Sequence, residues 1–229
     1  MPGPASNSYS GRKANTKMVF DIIGGIEGPM KVLIIILITA AAYMLGNVST
    51  ATILARAKGI DIKKAGSGNA GTTNATRVLG KKAGALTLTA DICKGIAAVL
   101  IGRVLGGEGL AMICALAVFL GHVWPVLFGF KGGKGVATAF GAFVALSPPM
   151  GFTALAIVVI GVLVSRMMSG GSLAGSVTFP LVAWVFKPDF LLIGTVIAVI
   201  VFIKHWGNIV RMVHGEEPRI SIEKLRSSK

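Results

Sequence analysis

Three polar clusters in an otherwise apolar chain carry residue types that can do chemistry. The first is His205, Asn208 and Arg211, spaced three apart, which form one stripe on a helix. An imidazole takes a proton near neutral pH, an amide orients a hydroxyl, and a guanidinium holds a phosphate. The second is Lys131-Gly132-Gly133-Lys134-Gly135, a compact cationic turn whose lysines suit phosphate as point charges. The third runs from Ala65 to Arg77, where Gly66, Gly68 and Gly71 alternate with Ser67, Asn69, Thr73 and Asn74. Glycine admits φ > 0, and successive uncovered N–H groups form concave nests that bind anions. A short helix starting near Thr72 or Thr73 puts Asn74 and Arg77 on one face. These types fit a phosphate site beside a group that orients a hydroxyl.

The elements that must position these clusters are membrane helices. Of 229 residues, 53% are hydrophobic and 14% charged, with mean hydropathy +0.76; a soluble domain is roughly 25% charged. Apolar runs long enough to cross a ~30 Å hydrocarbon layer recur along the chain. The expected fold class is all-α, a polytopic integral membrane protein. Seven spans are expected, at about 31–55, 83–101, 110–128, 136–146, 151–165, 172–186 and 189–205. The fourth is too short to cross alone and needs shielding by its neighbours or a tilt. Residues 1–30 read as a disordered or interfacial leader, and 31–229 as one membrane domain ending in a polar, basic tail, 206–229.

The net charge of +14 does not imply nucleic acid, because the basic residues lie between spans rather than on one soluble face. With seven spans, sixteen lysines and arginines fall on one side and only Arg103 and Lys187 in the opposite short loops. The positive-inside rule then puts the N-terminus outside and the C-terminus in the cytoplasm, although the basic leader runs against it. All three clusters therefore land on one membrane face, the cytoplasmic one.

Several familiar motifs do not survive their context. Gly66 to Gly71 spells G-x-G-x-x-G, but no strand precedes it and Asp91 falls within an apolar helix, so no dinucleotide site is implied. The Lys131–Gly135 turn lacks the Walker spacing: Phe128 stands where its first glycine belongs and Gly135 where Ser or Thr belongs. The residues five after His122, His205 and His214 are Leu127, Val210 and Arg219, which excludes an acyltransferase of the His-x4-Asp type. No metal or cofactor is called for. A membrane anion or phosphate transporter is the competing function class; it would need polar residues near mid-membrane, where only Asp91 and Lys94 qualify. Those two, at i and i+3, pair as a structural clamp for the glycine-rich loop. His122, before Trp124-Pro125, is equally open to a structural or a functional reading.

The three clusters, in this order and spacing, resemble the bacterial acyl-phosphate-dependent glycerol-3-phosphate acyltransferases of phospholipid synthesis. The likeness covers about residues 31–220. It rests on Gly66-Ser67-Gly68-Asn69-Ala70-Gly71-Thr72-Thr73-Asn74, on Gly121-His122 through Pro125 to Phe130-Lys131-Gly132-Gly133-Lys134-Gly135-Val136-Ala137-Thr138, and on His205, Asn208, Arg211, Gly215 and Glu217. The resemblance implies transfer of a fatty acyl group from acyl phosphate to the 1-hydroxyl of glycerol 3-phosphate. It implies lysophosphatidic acid and phosphate as products, with membrane lipid around the site.

By the same resemblance, Ser67, Arg77, Lys134 and Arg211 hold substrate phosphate, and His205, Asn208 and Lys134 form the catalytic group. Gly66, Gly68, Asn69, Gly71, Thr73, Asn74, Lys131, Gly132, Gly133 and Gly135 cradle the acyl phosphate. Asp91, Lys94 and Glu217 give structural support, Glu217 by bracing the tail against an arginine. The proton of the hydroxyl leaves to His205 or to a phosphate oxygen of the substrate. A monomer is expected, linked in function to enzymes that make acyl phosphate and enzymes that add the second acyl chain. The chain departs from the family at Trp206 and Val210, which replace a basic residue, and at Glu216, which replaces a frequent Thr.

Overall fold

A computed structural model describes residues 26–220; the expected leader up to residue 25 and the tail beyond 220 lie outside them. The described residues form helices and turns with no strand. In chain order these are α1 (Pro29–Asn47), α2 (Thr50–Arg56), α3 (Thr72–Leu79), α4 (Lys81–Val123), α5 (Val136–Leu146), α6 (Pro148–Ser165), α7 (Met168–Phe186), α8 (Leu191–Lys204) and α9 (Trp206–Val213). By length and apolarity four helical stretches can cross a membrane, or five if α8 and α9, bent by 48°, count as one broken span.

One of the four is α4, which turns back on itself. Gly106 and Gly107 leave helical geometry, the latter with φ 72°, so the arms 81–105 and 108–123 run side by side. Contacts between Gly102 and Ala111, and between Asp91 and His122, record the hairpin. The arms match the expected second and third spans, except that the second arm stops at Val123. Pro125 ends it, and Val126–Phe128 is a 3-10 turn. The expected first span, 31–55, is also corrected: it breaks at Val48, and Ser49 caps a separate α2 by accepting from the Thr52 N–H. The fifth and sixth spans start earlier than expected, at Pro148 and Met168.

The short fourth span matches expectation, and its neighbours explain how it survives. At 1.5 Å per residue α5 is only about 16 Å long. Its last carbonyls, on Ala145 and Leu146, accept from the Arg103 guanidinium at 2.7 and 3.2 Å, and Glu108 balances that charge. Along its length α5 packs on α4 and α6, within a core that includes Phe119, Phe143, Phe179, Phe190 and Ile197. On the other flank, α1 crosses the second arm of α4 at Gly46 and Gly121. A Cβ on either would come within 2.2 Å of a backbone carbonyl oxygen of the opposite helix, so only glycine allows this approach.

Candidate active site

A cavity of about 950 Å³ opens between α3, α4, α5, α6, α7, α8 and α9. One end is apolar, walled by Phe140, Phe143, Leu155, Val158, Phe179 and Val201. The other end gathers Ser67, Arg77, Lys134, His205, Asn208 and Arg211 from all three sequence clusters. Three helices, α3, α5 and α7, place first-turn residues in the wall, and none of them has a side-chain cap. Helix N-termini leave N–H groups without intrahelical partners and carry partial positive charge, which favours anions. Together with three cationic side chains this is an anion site opening into an apolar pocket.

The last described turns close that end. Glu217 is buried and accepts from the Ser169 hydroxyl at 2.7 Å, the Asn208 amide at 2.6 Å and the Arg211 guanidinium at 2.8 Å. Asn208 in turn accepts from the Lys134 ammonium. Burial pushes the Glu217 carboxyl up, but the hydrogen bonds from Ser169, Asn208 and Arg211 outweigh it and hold the group below the usual carboxylate range. Lys134 is lowered to about 8, first by burial and further by the Arg211 and Lys204 charges, while Glu217 works in the opposite direction. At neutral pH it is still mainly an ammonium, and a second anion, such as a substrate phosphate, would raise the value again. The buried His205 places Nδ1 2.8 Å from the Val201 carbonyl. A carbonyl only accepts, so Nδ1 carries the proton and Nε2 is left as a lone-pair acceptor.

The glycine-rich run is arranged differently from the nest expected of it. The Ser67 N–H donates to Asn74 Oδ1 at 2.8 Å, and the Gly68 N–H donates to the Ala65 carbonyl at 3.1 Å. Neither is free to hold an anion. Asn74 Nδ2 donates to the Ala65 carbonyl at 2.9 Å, so this residue, 1% exposed, ties the loop together. Among the described residues, the N–H groups of Gly66, Asn69, Ala70 and Gly71 keep no partner, and with the start of α3 at Thr72 and Thr73, and Arg77 about one turn on, they are the donors that remain.

Gly66, Asn69, Gly71, Thr73, Asn74 and Gly135 line the cavity, whereas Gly68, Lys131, Gly132 and Gly133 do not. The Gly132 and Gly133 N–H groups donate to the carbonyls of Val123 and His122 at 3.2 and 3.1 Å, and Lys131 faces outward. The second loop thus contributes Lys134 and Gly135, not its whole length.

Asp91 and Lys94 pair at 2.8 Å as their spacing suggests. What they clamp differs from the expectation: Lys94 also donates to the carbonyls of Gly46 and Val48, at 3.2 and 3.1 Å. The clamp therefore holds the end of α1, not the glycine-rich loop. Sequence reasoning passed over Ser169, whose only signal was a partial serine-glycine run at 169–172. It also passed over the apolar wall, because every span is equally apolar.

The family model described as glycerol-3-phosphate acyltransferase matches residues 36–215. A glycerol-3-phosphate acyltransferase of Geobacter sulfurreducens is 44% identical over 187 residues, covering 80% of this chain and 96% of that one. The chain also resembles the crystal structure of PlsY, an integral membrane glycerol 3-phosphate acyltransferase, in its glycerol 3-phosphate form. There the TM-score is 0.79 at 35% identity, covering 83% of this chain and 98% of that one. The lysophosphatidic acid form of PlsY gives 0.75 at 36% identity, covering 82% and 95%. The chain belongs to the glycerol-3-phosphate acyltransferase family, as a multi-pass membrane enzyme.

Proposed function

We propose that the cavity transfers a fatty acyl group from acyl phosphate to the 1-hydroxyl of glycerol 3-phosphate. The observation that carries this reading is the joining of a cationic end, ringed by uncapped helix N-termini, to an apolar end in one cavity. An acyl phosphate has that shape and charge. It is a mixed anhydride whose phosphate leaves readily, so neither a covalent intermediate nor a metal is required. The work left to the protein is alignment of two anionic substrates and stabilisation of charge as the carbonyl is attacked.

In this reading Lys134, Arg211, Arg77 and the start of α3 hold the two phosphates. Asn208 and His205 Nε2 receive the glycerol hydroxyl, His205 as the acceptor that its bond to Val201 makes it. The hydroxyl oxygen bonds to the acyl carbon and the C–O bond to phosphate breaks. The hydroxyl proton ends on the departing phosphate. The products are lysophosphatidic acid and inorganic phosphate, which sets the enzyme between one that makes acyl phosphate and one that adds the second acyl chain. A monomer contains every residue named.

The basic loops favour a bacterial inner membrane with the polar end at the cytoplasmic face, seven apolar segments, and the N-terminus outside. A reporter active only in the cytoplasm, fused after Lys229, tests the topology; loss of its signal sinks it. For the reaction, purified protein in detergent receives palmitoyl phosphate and glycerol 3-phosphate, and phosphate release is followed. Turnover with palmitoyl-CoA but no release from palmitoyl phosphate overturns the choice of donor.

A further inference from the structure

His122 takes no part in the chemistry above, yet it lines the cavity from the second arm of α4 and is only 7% exposed. Its Nδ1 lies 2.8 Å from Lys94 Nζ and 3.4 Å from Asp91 Oδ1. The Asp91 carboxylate, 2.8 Å from Nζ, keeps the lysine an ammonium, and an ammonium donates without accepting. Two N–H groups cannot face each other at the shorter distance, so two of the three ammonium protons go to Asp91 and Nδ1, at 2.8 Å each, and the third is shared by the carbonyls of Gly46 and Val48 at 3.2 and 3.1 Å. Nδ1 is then the acceptor and the ring proton sits on Nε2. The longer approach to Asp91, at 3.4 Å, is then no bond: Nδ1 and Asp91 Oδ1 are two acceptors drawn together by the one ammonium that donates to both.

On the opposite ring edge, Nε2 has no hydrogen-bond partner among the described residues, and it is not one of the polar atoms sealed away without one. Protein therefore does not close over it. It lies against Gly133, where a Cβ would approach Nε2 to 2.2 Å and the Ala70 carbonyl oxygen to 3.2 Å. That point is where the two glycine-bearing loops meet, next in sequence to Lys134. Gly133, which donates nothing to the cavity, thus has a reason to lack a side chain.

We infer that His122 is a further hydrogen-bond donor of the site, its Nε2–H directed at an oxygen of the acyl phosphate held between the two loops. This rests on the acyl-phosphate reading above. Lys94 is a positioning residue that sets the tautomer, and Gly133 admits the ring. His205 carries the opposite tautomer, so one histidine offers a lone pair to the incoming hydroxyl and the other a proton to the acyl donor.

Two substitutions separate donor from base and from filler. His122→Gln keeps an N–H near the position of Nε2 but cannot act as a base; His122→Leu keeps bulk alone. Palmitoyl phosphate turnover is measured in detergent beside the melting temperature of each variant. The Leu variant should lose roughly tenfold to a hundredfold in kcat/KM, while the Gln variant stays within roughly threefold of wild type. Wild-type turnover by the Leu variant overturns the inference, and so does a Gln variant as poor as Leu at an unchanged melting temperature.

If either variant fails to fold, nitrogen-15 NMR of histidine-labelled wild-type protein reads the tautomer directly. An Nε2–H ring supports the inference and an Nδ1–H ring overturns it. A wild-type protein inactive on palmitoyl phosphate would sink the choice of donor, whereas an active one indifferent to His122 sinks only the present inference.

Discussion

The Asp91–Lys94–His122 cluster and the Lys134–Asn208–Glu217–Arg211 cluster both set a lysine near a carboxylate, an amide or an imidazole, yet they use these groups differently. In the first, the Lys94 ammonium is turned inward, onto Asp91 Oδ1, His122 Nδ1 and the α1 carbonyls, with the Lys94 and Asp91 side chains at most 5% exposed. In the second, the Arg211 side chain is 37% exposed and Lys134 faces the cavity. A buried ammonium with all its N–H groups used holds helices; an open one can exchange its partners for a ligand. The difference comes from where each is tethered. Lys94 reaches the end of another span, while Glu217 lies on the chain segment that follows α9.

Breaking the first network should have the largest effect. Lys94→Met leaves Asp91 charged and unpaired in the bundle, a loss of about 3–5 kcal/mol. It should abolish a monodisperse, cooperatively melting protein in detergent. An unchanged melting temperature would show that the clamp is not needed. Lys134→Met, by contrast, removes charge from an open site. Turnover should fall by on the order of a hundredfold or more while the melting temperature hardly moves; a wild-type rate would take Lys134 out of the site.

The pH dependence sharpens the same contrast. Lys134 binds phosphate as an ammonium, and its depressed value of about 8 means that the charge is complete below that pH and disappears above it. The KM for glycerol 3-phosphate should therefore rise between pH 7 and 9.5, well below the range of an ordinary lysine, by up to roughly tenfold per pH unit. A flat profile would contradict this. Glu217→Gln removes the one carboxylate that opposes the shift, so the limb should move to lower pH, with a moderate loss of affinity; a limb moved upward would reverse the assigned sign. The smallest effect is expected for Lys131→Ala, outside the cavity, where stability should change by no more than about 0.5 kcal/mol and turnover hardly at all.

Much of this was legible before any coordinates. The helix at Thr72, the limits of α5 and the stripe of His205, Asn208 and Arg211 follow from local rules of glycine breaks, proline geometry and spacing. The misjudged features are non-local. Nothing in Gly66-Ser67-Gly68 says that Asn74 and Ala65 will take up its N–H groups, and nothing in Lys131-Gly132-Gly133 says that the carbonyls of His122 and Val123 will do the same. The division of the long first apolar run at Val48 was hidden because α2 is apolar as well.

By itself the sequence determined that the chain is a bundle of apolar helices and which three polar segments interrupt it. Apolar length, charge and residue spacing act over one or two turns and can be read in one dimension. Only the tertiary structure decided which donors remain free and which tautomer each histidine holds. Hydrogen-bond capacity is finite, and its use depends on groups brought close from far along the chain: Val201 for His205 within one helix, but Lys94 for His122 across a hairpin.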